Sequence, residues 1–244
     1  QDQRTRDHLR AMGLAFARSG ANLKSLVAAP KVAADVLDEA HAALAGRPVW
    51  VAASTHPGEE TPVLAAQKAL LRDHPNLCLI LAPRHPERAT EVAALIRAQG
   101  LSLSQRSTGG TLADGAQVYL ADTMGEMDLW YTLSPIVFLG GSFSDAGGHT
   151  PFEPAAAHTA ILHGPRYANF REAYAAFQLA DASVEVPDGP ALTAAVHEML
   201  THSSRAAQLA ANARPLASDG ADVLPDITRD LFALAAIEGG APDA

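Results

Sequence analysis

Cysteine is almost missing from this chain: Cys78 is the single one in 244 residues. An internal disulfide is excluded, and the composition suits a reducing compartment. Aromatic side chains make up only 5%, and alanine and leucine fill most of the apolar quota. That mix favours helices packed on a modest sheet over a β-sandwich. Positive charge is also short, with 18 Lys and Arg against 27 Asp and Glu and a net charge of −9. This disfavours a general nucleic-acid binder and a polybasic membrane adhesive. Any anionic ligand has to be met by a few local cations and backbone amides. No run approaches the roughly 18 apolar residues of a membrane span, and no signal peptide opens the chain. It begins Gln1-Asp2-Gln3 without methionine, so a piece of a longer protein is expected. Gly-x-Gly-x-x-Gly after a strand, a Walker A loop, Cys-x-x-Cys, His-Glu-x-x-His and Gly-x-Ser-x-Gly are all absent.

What is present is ample core material, 48% hydrophobic against 18% charged, which rules out a disordered tail. A polar helix is expected from Arg4 to Met12, stopping at Gly13, and Asn22-Leu23-Lys24 reads as a brief strand or a linker. Ala33 to Ala45 has helical spacing and stops at Gly46. Strands and helices then alternate. Apolar runs at 48–53, 77–82, 118–121, 136–139 and 160–162 are expected as strands, with weaker candidates at 101–105 and 183–186. Helices are expected near 59–72, 87–99, 126–133 and 153–157, and again from 187 to the end. Short unalternating runs separated by amphipathic helices signal a parallel sheet covered on both faces. Right-handed crossovers make that an α/β, Rossmann-like, doubly wound domain. Residues 1–20 read as the tail of a preceding domain or a linker, and 21–244 as one domain with C-terminal helices. Met12, Met199 and the leucine-rich C-terminal stripe are expected in the core. His8, His41, His74, His197 and His202 are expected at the surface.

In an open parallel sheet, ligands sit outside the carboxyl ends of the strands. The residues there are Ser54 to Glu60, Pro83 to Arg88, Asp122 to Glu126, Gly140 to Glu153 and His163 to Arg166. Polar residues and glycines collect at this one edge, whereas Arg72-Asp73-His74-Pro75-Asn76 at the other looks like ordinary surface. The remaining possibility is a nucleotide or sugar-phosphate site built from strand-end loops and helix N-termini.

The runs Ser54-Thr55-His56-Pro57-Gly58-Glu59-Glu60, Pro83-Arg84-His85-Pro86-Glu87-Arg88, Asp122-Thr123-Met124-Gly125-Glu126 and Gly140-Gly141-Ser142 through Gly147-Gly148-His149-Thr150-Pro151-Phe152-Glu153-Pro154 carry a resemblance in this order. Together they resemble the 3-deoxy-D-manno-octulosonic acid (Kdo) transferases, and Asn22-Leu23-Lys24 and Gly164-Pro165…Asn169-Phe170 fit the same family. The likeness runs from about residue 20 to 215 and corresponds to the C-terminal, donor-binding half of a two-domain GT-B glycosyltransferase. It departs at Thr150, where the family usually has Asn, and at Ala21, where it has Gly. The resemblance implies transfer of Kdo from CMP-Kdo to a lipid A precursor by inverting displacement, with no donor-bound metal and no cofactor. It places the catalytic base, the acceptor and membrane contact in an absent N-terminal half, at the cytoplasmic face of the bacterial inner membrane. The fragment itself is then soluble, binds CMP weakly and catalyses nothing alone. A UDP-sugar transferase or epimerase domain and a non-catalytic nucleotide-binding module are the alternatives.

Each residue drawn into the donor site has a second reading. By resemblance Glu153 accepts from the ribose hydroxyls of CMP; otherwise Thr150-Pro151-Phe152-Glu153 is a capping box with proline at the first helical position. Arg84 meets the donor's phosphate or carboxylate, or pairs with Glu87. His85 donates to the same anion or caps the helix that Pro86 begins. Thr123-Met124-Gly125-Glu126 is again box-like in form, while the amides of Met124 and Gly125 are candidates for the base or phosphate, with Glu126 in the same loop. Gly140, Gly141, Ser142, Gly147 and Gly148 form a phosphate nest or a flexible turn. His56 touches the sugar or the partner domain, or simply starts a helix with Glu60. Lys24 reaches the donor from the linker.

Overall fold

The computed structural model describes residues 3–17, 26–27, 29–217 and 224–234. Two helices, α1 (Gln3–Ala11) and α2 (Ala34–Leu44), come before the first strand. The alternation follows as β1 (Val49–Thr55), α3 (Glu60–Leu70), β2 (Cys78–Pro83), a 3₁₀ turn at Pro86–Arg88, and α4 (Ala89–Ala98). It continues through β3 (Leu103–Gln105), β4 (Val118–Leu120), α5 (Met127–Leu133), β5 (Ile136–Leu139), α6 (Phe152–Ala156) and β6 (Ala160–His163). The described residues close with α7 (Arg171–Leu179), β7 (Ser183–Glu185), α8 (Gly189–Thr201), α9 (Ser203–Ala213) and α10 (Leu224–Leu234).

The seven strands pair in the order β3-β4-β2-β1-β5-β6-β7. Every pairing is parallel, so all strand-end loops emerge on one edge. Strand order runs outward from β1 in both directions, through β2 on one side and β5 on the other. The switch point of the sheet therefore lies between β1 and β5, where a doubly wound sheet opens its crevice.

Apolar residues on successive positions of each strand feed two cores, because side chains alternate across a strand. Trp50 and Ala52 of β1 join Val63, Leu64, Ile96, Leu192 and Leu209 on one face. Val49, Val51 and Ala53 join Leu44, Trp130, Tyr174 and Phe177 on the other. Each fully buried side chain of this size contributes about 1.5–3 kcal/mol. An exposed ion pair such as Arg205–Asp181 contributes about 0–1 kcal/mol, so the fold rests on its two apolar layers. One buried polar group crosses a layer: Gln67 accepts from the Trp50 indole at 2.8 Å and donates to the carbonyls of Leu77 and Gln117. Cys78 is 1% exposed within β2, and burial pushes its thiol up to about 11.

Several expectations need correction. Met12 is not core but 69% exposed, whereas Met199 is buried as expected. The helix after β2 is interrupted, because proline at its start sets a 3₁₀ turn before Ala89. Helix α7, between β6 and β7, was not anticipated. His74 and His197, expected at the surface, are both partly exposed there, with their ring nitrogens 3.3 Å apart. No described helix is long and apolar enough to cross a membrane.

Candidate functional site

The site grows from a kink. At the end of β1 the pairing with β2 slips between Ala53 and Thr55, and Ser54 takes a left-handed conformation, φ 55°. A non-glycine residue rarely adopts this, and it turns the chain outward at the switch point. Gly140, at the end of β5, passes so close that a Cβ there would lie 2.5 Å from the Ser54 carbonyl oxygen. Only glycine allows that approach.

His56 follows the kink. Its Nε2 lies 2.9 Å from Nε2 of His149, with the two rings stacked at 5.1 Å. His85, from the loop after β2, meets the His56 ring edge-on at 5.8 Å. Arg84 belongs to the same group: its charge is felt at both His56 and His149. Among the described residues no hydrogen bond or ion pair engages its guanidinium, and Glu87 faces His85 instead, at 3.6 Å. Burial is the first cause that lowers the pKa of His56, with Glu59 opposing and His85 and Arg84 adding to it. His149 is driven down to about 4, by burial first and then by His56, Arg84 and His85.

Behind these rings Glu59 is 1% exposed. Its carboxylate accepts from the backbone amides of His56, Gly141, Phe143 and Ser144 at 2.8, 2.6, 2.7 and 3.2 Å. The glycine loop after β5 thus curls around an anion supplied by the protein itself. Gly140 donates to Ala53, and Gly148 donates to Gly141. Ser142 is fully buried, its hydroxyl donating to Leu139 and accepting from Gly164. Gly141 and Ser142 are therefore engaged inside the loop rather than turned to the rim. The far side of the loop is clamped by Asn169, which donates to Ala146, and by Tyr174, which donates to the His149 carbonyl.

Two further loops complete the edge. After β4, Asp122 accepts from the Ser107 amide, the Ser107 hydroxyl and Gln105. Burial alone would raise the Asp122 pKa, but these bonds outweigh it and lower it. Met124 stands 73% exposed, Gly125 has φ 83°, and Glu126 pairs with Arg106 at 2.6 Å and accepts from Thr123. After β5, Thr150 accepts weakly from the Phe152 amide at 3.4 Å. Glu153 lies in the first turn of α6. Crowding around its carboxyl, and then the Asp128 carboxylate, raises its pKa even though the residue as a whole is exposed.

Neither expected capping box forms. The residue before α6 is Pro151 and that before α5 is Glu126, and neither helix start receives a side-chain bond from its cap. A reciprocal box does form at Thr111 and Asp114. Arg84, His85 and His56 come together, and Glu153 and the Met124–Glu126 loop lie on the same edge. Lys24 lies outside the described residues. Sequence reasoning missed Glu59 and His149 as organisers, although both stand inside the quoted runs. No three His, Cys, Asp or Glu side chains among the described residues are placed to hold a metal.

A parallel doubly wound sheet with its loops gathered at the switch point is a Rossmann-like domain, the architecture that each half of a GT-B glycosyltransferase shares with other enzymes. The solved C-terminal CMP-Kdo binding domain of WaaA from Acinetobacter baumannii superposes with a TM-score of 0.71 and 34% identity, over 75% of this chain and 96% of that one. A 3-deoxy-D-manno-octulosonic acid transferase of Haemophilus influenzae is 44% identical over 128 residues, 52% of this chain and 30% of its own length. The Bordetella pertussis transferase is 36% identical over 187 residues, 72% of this chain and 44% of its own length. No family model matches the chain. The chain belongs to the 3-deoxy-D-manno-octulosonic acid transferase family. It spans less than half the length of these two curated relatives.

Proposed function

We propose that this chain is the donor half of a Kdo transferase and binds CMP-Kdo at the carboxyl edge of its sheet. The observation that carries the reading is the 34% identity to a CMP-Kdo binding domain covered over 96% of its length. The geometry supports it: the loops that bear the family's motifs share one rim, with Arg84 exposed beside three histidines.

In this reading Arg84 and His85 meet the phosphate or carboxylate of the donor, because a guanidinium matches planar oxyanions with two parallel bonds. Glu153 accepts from the ribose hydroxyls, and the exposed amides of Met124 and Gly125 approach the base. Thr150 lines the rim. Glu59 keeps the glycine loop in shape without touching the donor. Lys24 contacts the donor from the linker. The whole protein joins an acceptor hydroxyl of a lipid A precursor to the anomeric carbon of Kdo and releases CMP. Its base and membrane contact lie in the other half, at the cytoplasmic face of the inner membrane.

The test is a thermal-shift and calorimetric comparison of CMP with UDP and UDP-N-acetylglucosamine. Stabilisation by CMP alone is expected, since a ligand that binds only the folded state raises the melting temperature. Stabilisation by the uridine nucleotides, with CMP inert, assigns the chain to a UDP-sugar enzyme.

A further inference from the structure

We propose that His56 and His149 act as one proton-holding pair that takes up a proton when a nucleotide phosphate enters beside Arg84. His149 serves as the positioning residue and His56 as the ring that faces the phosphate. The inference rests on the CMP reading and adds to it a role for two groups at the switch point.

The first support is the bond itself. Two ring nitrogens 2.9 Å apart share a single hydrogen, one ring donating and the other accepting. A proton on both nitrogens would set two N–H groups against each other, so the pair accepts at most one proton beyond the neutral state. His149 is the fixed partner: a backbone hydrogen bond at Ser54 holds its ring, and Tyr174 holds its backbone. His56 is the ring that contacts His85.

The second support is the charge around the pair. From the loop after β2, Arg84 and His85 press on it with positive charge. From the start of α3, Glu59 and Glu60 face His56 with negative charge. These two carboxylates are already committed, Glu59 to four backbone amides and Glu60 to Arg88 at 2.6 Å. Glu87 lies 3.6 Å from His85. Beside the pair, Arg84 has no partner among the described residues, so an arriving anion cancels its charge first. Removing that repulsion, and adding an anion beside the rings, lets the pair hold a proton near neutral pH.

The proton then has a use in the transfer step. The acceptor oxygen bonds to the anomeric carbon, and the bond from that carbon to the phosphate oxygen breaks with its electron pair left on the phosphate. The acceptor's proton leaves to a base in the other half. The phosphate gains one negative charge, and the proton on His56 lies beside it to balance that charge.

The experiment uses this chain and cytidine 5′-(methyl phosphate), a phosphodiester whose single charge does not titrate near neutrality. Calorimetry near pH 6.5, in two buffers of different ionisation enthalpy, counts protons taken up on binding. Net uptake is expected, with affinity rising toward low pH by up to about tenfold per pH unit, the limit for one proton. His56→Asn and His149→Gln should each flatten that slope, and His74→Asn, beside His197 and away from the rim, should keep it. Binding without proton uptake, or a slope that survives both pair variants, overturns the inference and leaves the CMP reading standing. A slope lost only in His85→Asn moves the proton to His85 and overturns it as well. No binding of the probe overturns both readings.

Discussion

The carboxylate of Glu59 lies 2.6 Å from the amide nitrogen of Gly141, joining the loop after β1 to the loop after β5. A nest of amides of the kind that binds phosphate is filled from within by this carboxylate. Glu59→Gln removes the charge that four backbone donors share. It should cost about 3 kcal/mol, since hydrogen bonds to a buried charged group contribute about 1.5–3 kcal/mol each and the amide keeps some of them. Urea unfolding measures the loss. A loss below about 0.5 kcal/mol, the scale of ordinary surface changes, would show that the loop holds its shape without this anion.

Arg84→Ala should weaken CMP binding by about tenfold to a hundredfold, the scale of a charge-assisted contact. Exposed ionic contacts are screened by salt. The variant should therefore also show a flatter dependence of affinity on salt concentration. Equal salt slopes in the two proteins would remove Arg84 from the anion site.

Glu153→Gln should weaken CMP binding by about 1–3 kcal/mol. Its effect on stability has the opposite sign. A carboxylate whose pKa rises on folding binds its proton more tightly in the native state, so stability falls as pH climbs from 4.5 through the raised value. The neutral glutamine escapes that loss, and its melting temperature at pH 7 should exceed that of the parent. Unchanged affinity with a lower melting temperature would assign Glu153 to helix support instead.

Asp122 titrates in the other direction. Its pKa is lowered on folding, so its contribution is complete above 3.8 and disappears as pH falls through the lower folded value. Asp122→Asn should cost about 1–3 kcal/mol at pH 7 and should lose less than the parent on acidification. Parallel stability curves through the acid range would contradict this.

Gln67→Leu should destabilise the domain by about 2–4 kcal/mol, because it leaves the Trp50 indole and two carbonyls without their partner in a dry layer. Nucleotide affinity should stay level, since Gln67 lies in a core layer and has no contact with the rim. A change in affinity as large as the change in stability would couple that layer to the site.

The sheet was legible because β1, β2 and β5 are buried on both faces and read as unbroken apolar runs such as Val49-Trp50-Val51-Ala52-Ala53. Helix α7 was hidden because its buried Ala173, Tyr174 and Phe177 are diluted by polar residues after a glycine-proline turn. The motif runs marked the rim, since a parallel sheet brings every strand end to one edge. They did not reveal which residues look inward. Glu59 and Ser142 stand in runs assigned to the ligand edge, yet both are buried by partners far along the chain. The Thr150 and Thr123 boxes failed for a local reason: α6 begins one residue, and α5 three residues, beyond the register that the pattern requires. The remaining register is set by tertiary contacts, such as that between Gly140 and the Ser54 kink, which no local pattern encodes.

Cys78 brings an experimental convenience. Sealed inside β2 with a thiol that ionises only near 11, it is inert toward alkylating dyes at neutral pH. A cysteine introduced at Met124, 73% exposed, becomes the sole reactive handle on the molecule. A fluorophore attached there can follow occupancy of the rim in real time, without first stripping the native sulfhydryl from the protein.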